Sequence, residues 1–374
     1  MKKNLAIFTV GRSDFGIMKN IIVKSEKDKR FNLYLVIGSA HKSKIFGRTI
    51  NETRELKVKN KIKFNFNYQG SKKEDILSYF QKTLYEANNF FSKRRIDASV
   101  ILGDRYEMLA ISIASLNYSV PIMHFGGGSE TLGSLDNIYR YSISRMANTH
   151  FLETNYHKNN LKKIGIKKNL FVVGAPSLEN LNKRLDKKKK FNFIYNNNKK
   201  IIAACFHPET TKSKSFNLKN ISILLKFLSK IDANIVFTYP NADLGFKDYI
   251  KLINKYLKNK ENSTIVENLG ILNYHNLLNR ADLLIGNSSS GIIESASFKI
   301  PAINVGDRQK NRFVNKNVLH SKFSTHDLQK CYNRATSNKF VSSLKKIKSI
   351  YYKKNTAKNS LNIIYNKINE LKRI

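Results

Sequence analysis

Several short stretches of this sequence place chemically capable side chains directly after apolar runs. In "GDRYE", residues 103–107, Asp104 follows the run Ala98–Leu102. A carboxylate held at such a point can act as a general acid or base; the plainer reading is a helix N-cap. In "HFGGGSETLGSLDNIYR", residues 124–140, Glu130, Asp136 and Arg140 share one glycine-rich segment. Two or three carboxylates in one site would suit moving a proton on and off carbon. Asp136 and Arg140 are four residues apart, so a plain helical ion pair is the alternative there. In "FHPET", residues 206–210, His207 can donate to a phosphate or shuttle a proton; a lone histidine serves as readily in a structural role.

A second group of residues fits an anion. "GNSSSGIIE", residues 286–294, offers the hydroxyls of Ser288, Ser289 and Ser290. Backbone N–H groups from Gly291 onward add to them at an expected helix start, an arrangement that can hold a diphosphate. Glu294 lies about one turn further on, where a carboxylate can accept from two ribose hydroxyls. An N-cap followed by a surface glutamate is the competing explanation, but three serines exceed what one cap needs. Arg12, in "GRSDFG" (residues 11–16), can grip a phosphate bidentately. Asn241 and Asp243, in "YPNAD" (residues 239–243), fit a turn as well as a site.

These stretches fall at the ends of expected strands. Leu5–Val10, Leu33–Ile37, Ala98–Leu102, Ile122–Phe125 and Phe171–Val173 read as short buried strands, with helical patterns such as Ile76–Lys93 and Arg105–Leu116 between them. The charged, Asn-rich stretch 184–200 reads as a linker between domains. Beyond it the alternation restarts, with strands expected at Ile201–Phe206, Asn234–Tyr239, Thr264–Glu267, Leu283–Ile285 and Ala302–Val305 and a helix over Gly291–Phe298. Strands separated by helices argue for parallel α/β sheets. The expected architecture is two Rossmann-like, doubly wound domains facing a cleft, residues 1–183 and 201–339, followed by a helical tail over 340–374. Ligands in such sheets bind beyond the carboxyl ends of the strands, which is where the special residues sit.

Composition narrows the classes. The 374-residue chain carries a formal net charge of +40. Lysine is spread along its whole length, so runs such as Lys187–Lys190 read as solvated surface, not a nucleic-acid stripe. No aromatic-and-basic RNA motif and no zinc-finger spacing appears. The charge would still draw a phosphorylated substrate. No apolar run approaches the roughly 18 residues that span a membrane, so no stable membrane insertion is expected. The two cysteines, Cys205 and Cys331, form neither a disulfide framework nor a metal set; a reducing cytoplasm fits.

Taken together, "GRSDFG", "GDRYE", "GSLDNIYRYSISRMANTHF", "VVGAPSLENL", "FHP", "YPNAD" and "NSSSGIIESASFKIPAINVGDRQKNR" resemble the UDP-N-acetylglucosamine 2-epimerase family, most closely its hydrolysing branch of the sialic and legionaminic acid pathways. The resemblance implies a GT-B fold with the nucleotide held mainly by the C-terminal domain. It implies removal of the sugar C2 proton, expulsion of the nucleotide from C1, and addition of water to give the inverted C2 epimer, with no metal or redox cofactor. Asp104 and Asp136 match family positions for proton transfer. Arg12, Arg140 and His207 match positions at the diphosphate, and Ser289, Ser290 and Glu294 match the nucleotide cradle. A homodimer is one option it carries. The loop departs from the branch: where "HIHGG" and then an acid are usual, this chain has "HFGGGSE", with Gly126 and Ser129 at the second histidine's and the acid's places and Glu130 one residue later. Leu132 and Tyr141 depart likewise. A non-hydrolysing epimerase, a GT-B glycosyltransferase and an inactive nucleotide-sugar binder are the competing readings.

Overall fold

The structure is a computed structural model, which describes residues 1–42, 49–66, 73–132, 134–179, 181, 185, 198–240 and 245–371. Two compact units divide the chain. Unit 1 comprises Met1–Ser129, Leu135–Glu179 and Tyr351–Ile374, and unit 2 comprises Glu130–Ser134 and Asn180–Ile350.

Unit 1 is built on seven parallel strands: β1 (Lys3–Thr9), β2 (Phe31–Ile37), β3 (Asn60–Lys63), β4 (Ala98–Leu102), β5 (Ile122–Phe125), β6 (Thr149–Leu152) and β7 (Leu170–Val172). Their order in the sheet is β3-β2-β1-β4-β5-β6-β7. The consecutive apolar residues of β1 explain its central place. Leu5 and Ile7 point into one buried cluster, while Ala6 and Phe8 point into the other. A strand covered on both faces needs such an unbroken run. One face is filled by Phe15, Met18, Ile21 and Ile22 of helix α1 (Arg12–Lys27). The other takes Phe90 and Phe91 of α3 (Lys73–Ser92) and Met108 and Ile111 of α4 (Tyr106–Asn117), counting the short helix Ile50–Glu55 as α2.

The first face also takes Ala357, Leu361, Ile364 and Ile368 from the last helix, Thr356–Leu371. Glu179 anchors this helix: its carboxylate accepts from the Ala357 N–H at 2.7 Å, at the end where a helix dipole favours negative charge. Residues 340–374, expected as one terminal tail, are thus shared between the units. Asn338–Ser343 stays in unit 2, and the stretch from Tyr351 returns to unit 1.

Unit 2 holds six parallel strands: β8 (Ile201–Cys205), β9 (Asn234–Thr238), β10 (Ser263–Val266), β11 (Leu283–Gly286), β12 (Ala302–Val305) and β13 (Val318–Ser321). Their order is β10-β9-β8-β11-β12-β13. Ile221, Leu224, Leu225 and Leu228 of the helix Lys214–Lys230 and Tyr249, Ile253 and Leu257 of the helix Phe246–Leu257 cover it.

In each sheet the order reverses beside the first strand, between β1 and β4 and between β8 and β11. Such a switch point leaves a crevice at the carboxyl ends where ligands bind. One expected helix is shorter than its sequence pattern. Gly291–Phe298 is a single α turn, Ser290–Ile293, followed by a 3₁₀ turn, Ser295–Phe298. A single turn carries little macrodipole, so the serine hydroxyls bear most of any anion contact there.

Candidate active site

The switch point of unit 1 is lined by the loop after β4. Gly103 takes φ +82, a left-handed conformation that glycine adopts without strain, and its N–H donates to the Phe125 carbonyl at 2.8 Å. The turn presents Asp104, whose carboxylate accepts from the Arg140 guanidinium. Arg140 lies on α5 (Asp136–Met146) with 2% of its side chain exposed, against 25% for Asp104. Its other nitrogen donates to the Ser129 carbonyl at 2.7 Å and to Asn137 Oδ1 at 2.9 Å. A buried cation is tolerable only with partners of this kind. The pair joins "GDRYE" to the glycine-rich segment "HFGGGSETLGSLDNIYR".

Around the pair the polar groups are held firmly. Arg105 makes a two-point contact with the fully buried Glu107, at 3.0 and 3.1 Å. Asp14 accepts from the N–H groups of Val10 (2.6 Å) and Gly11 (2.9 Å) at the start of α1. Burial raises its carboxyl to about 6, against the opposing pull of those N–H groups and of Arg105. His124, on β5, is fully buried with Nε2 2.9 Å from the Gly103 carbonyl and Nδ1 3.1 Å from Ser144 Oγ. A carbonyl can only accept, so the ring carries its proton on Nε2, and Nδ1 accepts from the serine hydroxyl. Burial lowers His124 to about 4 and the neighbouring His150 to about 3.

The other expected residues of this half are placed as follows. Asp136 is the first residue of α5, one turn before Arg140, and is half-buried. Glu130 falls in the segment that belongs to unit 2. There its carbonyl accepts from Arg312 Nε at 3.0 Å, and the Thr131 hydroxyl accepts from the same guanidinium at 3.0 Å. Arg12 opens α1; its side chain lies outside the described residues, as do Asn241 and Asp243 altogether.

Unit 2 presents its own switch point. Gly286 ends β11 at φ +142, where a Cβ would lie 1.8 Å from the Cys205 carbonyl, so only glycine fits. The next residue, Asn287, is fully buried and spans β8 and β11: its Oδ1 accepts from His207 N at 2.6 Å and its Nδ2 donates to His207 O at 2.9 Å. Its carbonyl accepts from Arg308 Nη1 (3.1 Å) and Gln309 Nε2 (2.9 Å). His207 is 4% exposed, with Nε2 3.4 Å from Cys205 Sγ. Glu209, two residues on, is also buried, and that burial raises its carboxyl despite the nearby Arg308.

Ser288, Ser289, Ser290 and Gly291 are half-buried beside this network. Ser290 donates to Glu294 Oε2 at 2.7 Å and accepts from the Tyr274 hydroxyl at 2.8 Å. His275 Nε2 meets Glu294 Oε1 at 3.2 Å. Glu294 is thus held by the helix Gly270–Arg280 as well as by its own turn. The sequence singles out His124 in the glycine-rich segment without giving it a role, and Asn287 and His275 carry no signal there. Only a partner distant in the chain gives each of them a meaning: Gly103 and Ser144 for His124, His207 for Asn287 and Glu294 for His275.

Two doubly wound parallel sheets are the architecture that this chain shares with solved sugar-nucleotide epimerases. The chain belongs to the UDP-N-acetylglucosamine 2-epimerase family, whose model matches residues 23–365. It is 32% identical over 350 residues to the hydrolysing GDP/UDP-N,N'-diacetylbacillosamine 2-epimerase of Campylobacter jejuni, covering 91% of this chain and 89% of that one. It is 30% identical over 371 residues to the polysialic acid biosynthesis protein P7 of Escherichia coli, covering 97% and 94%. Its fold matches a crystal structure of UDP-GlcNAc 2-epimerase from Neisseria meningitidis bound to UDP-GlcNAc, with a TM-score of 0.80 at 17% identity over 98% of this chain and all of that one.

Proposed function

We propose that this protein is a hydrolysing 2-epimerase acting on a nucleotide-linked 2-acetamido sugar, with a 2,4-diacetamido sugar of the diacetylbacillosamine type as first candidate. The observation that carries the reading is the likeness to the Campylobacter jejuni hydrolysing enzyme along 91% of the chain. The geometry agrees with it. Asp104 is held by Arg140 at the carboxyl end of β4, and the Ser288–Ser290 hydroxyls stand with Glu294 at the carboxyl end of β11.

In this reading Ser288, Ser289, Ser290 and Gly291 bind the diphosphate, and Glu294 accepts from the ribose hydroxyls. Arg12 and His207 act at the diphosphate, while Arg140 orients Asp104. A carboxylate among Asp104, Glu130 and Asp136 takes the C2 proton. The C2–H electrons form the C1–C2 double bond, and the C1–O pair leaves with the nucleoside diphosphate. Water then adds its oxygen to C1, and a proton returns to C2 on the opposite face. The Asp104–Arg140 pair, with its arginine buried, is an alignment device for this chemistry, since charge placed in advance stabilises a transition state without reorganisation.

Among the described residues no helix is long and apolar enough to cross a membrane; a cytoplasmic location and a homodimer belong to the proposal, the latter read by sedimentation. The central test is a proton NMR time course in heavy water with UDP-N-acetylglucosamine and UDP- and GDP-N,N'-diacetylbacillosamine. Free nucleotide with a deuterated, inverted C2 is expected. A product that keeps its nucleotide would point instead to the non-hydrolysing reaction, and binding without C2 exchange to an inactive binder.

A further inference from the structure

Asp104 and Arg140 are tied to each other twice, once directly and once through a second route. The direct tie is the guanidinium on the carboxylate. The second runs through α5: Ser144, one turn beyond Arg140 on the same buried face, donates to His124 Nδ1. His124 Nε2–H in turn donates to the carbonyl of Gly103, the residue before Asp104. The two ties close a ring: Asp104, Arg140, one turn of α5, Ser144, His124, Gly103 and back to Asp104. All three side chains that brace Asp104 are buried, at 2% (Arg140), 1% (Ser144) and 0% (His124).

The ring explains features that packing alone leaves open. Gly103 needs its left-handed φ, and the peptide that follows it would swing freely in an exposed turn. Its carbonyl is fixed from the side of β5 by His124, and its N–H from the same strand by Phe125. The glycine loop closes over the brace: a Cβ on Gly127 would lie 3.0 Å from Ser144 Oγ and 3.3 Å from His124 Nδ1. A Cβ on Gly128 would lie 2.2 Å from the His157 carbonyl. The bare Gly127 lets the loop lie directly on the imidazole, and the bare Gly128 lets it pass the His157 backbone.

We infer that His124, set by Ser144, is a positioning residue that orients Asp104 for proton transfer through the Gly103 peptide. It touches no substrate atom in this account. It works as a neutral donor whose tautomer is selected by the hydroxyl on its other nitrogen, in the way a second shell fixes a ligand. The inference rests on Asp104 serving in the proposed reaction.

The test compares His124→Leu, His124→Gln and Ser144→Ala with the parent enzyme. Leucine removes the donor. Glutamine keeps an N–H where Nε2 stood, and Ser144→Ala frees the tautomer while leaving the ring in place. Displacing a reacting group by a fraction of an ångström to an ångström costs about 10- to 100-fold in turnover. His124→Leu is therefore expected to lose about that much kcat with KM within about twofold. His124→Gln should recover most of the loss, and Ser144→Ala should fall between. Unchanged kcat in His124→Leu, or an equal fall in both His124 variants together with a rise in KM, would overturn the inference.

A second readout needs no activity. In nitrogen-15 NMR the Arg140 guanidinium protons, slowed by the Asp104 contact, should be sharp in the parent and broadened in His124→Leu. The His124 ring should show the Nε2–H form at neutral pH. If these hold while every sugar fails as substrate, it is the proposed reaction that falls. An Arg140 signal indifferent to His124→Leu removes the positioning role whatever the activity.

Discussion

Arg140 and Asp104 stand 36 positions apart in the chain, yet the guanidinium of one is hydrogen-bonded to the carboxylate of the other. The arginine is buried and the aspartate a quarter exposed. The buried member depends on its partner, while the partner retains access to solvent.

That asymmetry separates two substitutions. Asp104→Asn keeps an acceptor for Arg140 and removes the carboxylate that the proposed reaction uses. It should lower turnover by about 10²- to 10⁴-fold with UDP affinity unchanged. Asp104→Ala should lose turnover equally but also strand the buried guanidinium, at a cost of about 3 kcal/mol or more in urea unfolding. Full turnover in Asp104→Asn would remove this residue from the chemistry.

The proposed nucleotide cradle makes a separate prediction. Glu294 receives Ser290 on one oxygen and His275 on the other. Loss of charge-assisted hydrogen bonds worth about 1.5–3 kcal/mol each should weaken UDP binding by about tenfold or more in Glu294→Ala, measured by calorimetry. Removing the orienting imidazole in His275→Phe should weaken it less, with the loss confined to the nucleoside. Affinity for inorganic pyrophosphate should be unaltered in that variant.

Two glycines at corresponding places should behave differently. A Cβ on Gly286 meets backbone at 1.8 Å, whereas one on Gly103 meets nothing within 4 Å. Gly103→Ala carries only the penalty of a left-handed conformation, about 1–2 kcal/mol. Gly286→Ala must part β8 from β11, and should cost about 4 kcal/mol or fail to fold. Unfolding midpoints in urea distinguish the two.

Acid stability follows from the buried histidines of unit 1. His41 and His124 are lowered to about 4 and His150 to about 3, all chiefly by burial. Their neutral forms favour the fold. The stability they contribute is complete above about pH 6.5 and is lost as pH falls toward 4. Asp14, raised to about 6 by burial, acts the other way, because between about pH 4 and 6 the folded chain holds its proton and the unfolded chain does not. Near pH 5 the unfolded chain therefore binds about two protons more, three on histidines against one on Asp14. Stability should fall by about 3 kcal/mol for each pH unit lost there. A flat profile between pH 6.5 and 5 would contradict the burial of these rings.

The strands that bear the site were legible because central parallel strands must be apolar on both faces, as Leu5–Phe8 and Leu283–Ile285 are. The edges were not. β3 reads Asn60-Lys61-Ile62-Lys63, a lysine-bearing sequence suited to discouraging edge pairing, and it gives no hydrophobic signal. β13 (Val-Leu-His-Ser) and β6 (Thr-His-Phe-Leu) mix polar with apolar residues and were likewise not legible. Candidate residues were legible one by one, from strand ends and small-residue runs. Their pairing was not, since nothing local in "GDRYE" announces Arg140. Glu179 gives the plainest case. Within "VVGAPSLENL" it is an unremarked acid; in the fold it accepts from Lys24 Nζ at 2.5 Å and caps the last helix.

That last helix bears on the order of assembly during synthesis. Unit 2 has its strands and major helices in one continuous stretch, whereas unit 1 lacks part of one core face until Ala357, Leu361, Ile364 and Ile368 have been made. Each of the larger three contributes about 1.5–3 kcal/mol of burial. Domains usually mature in the order in which they leave the ribosome. Here the unit that emerges first is completed last, so a premature stop a few codons after Ile350 would leave the distal unit whole and injure the one that carries Asp104.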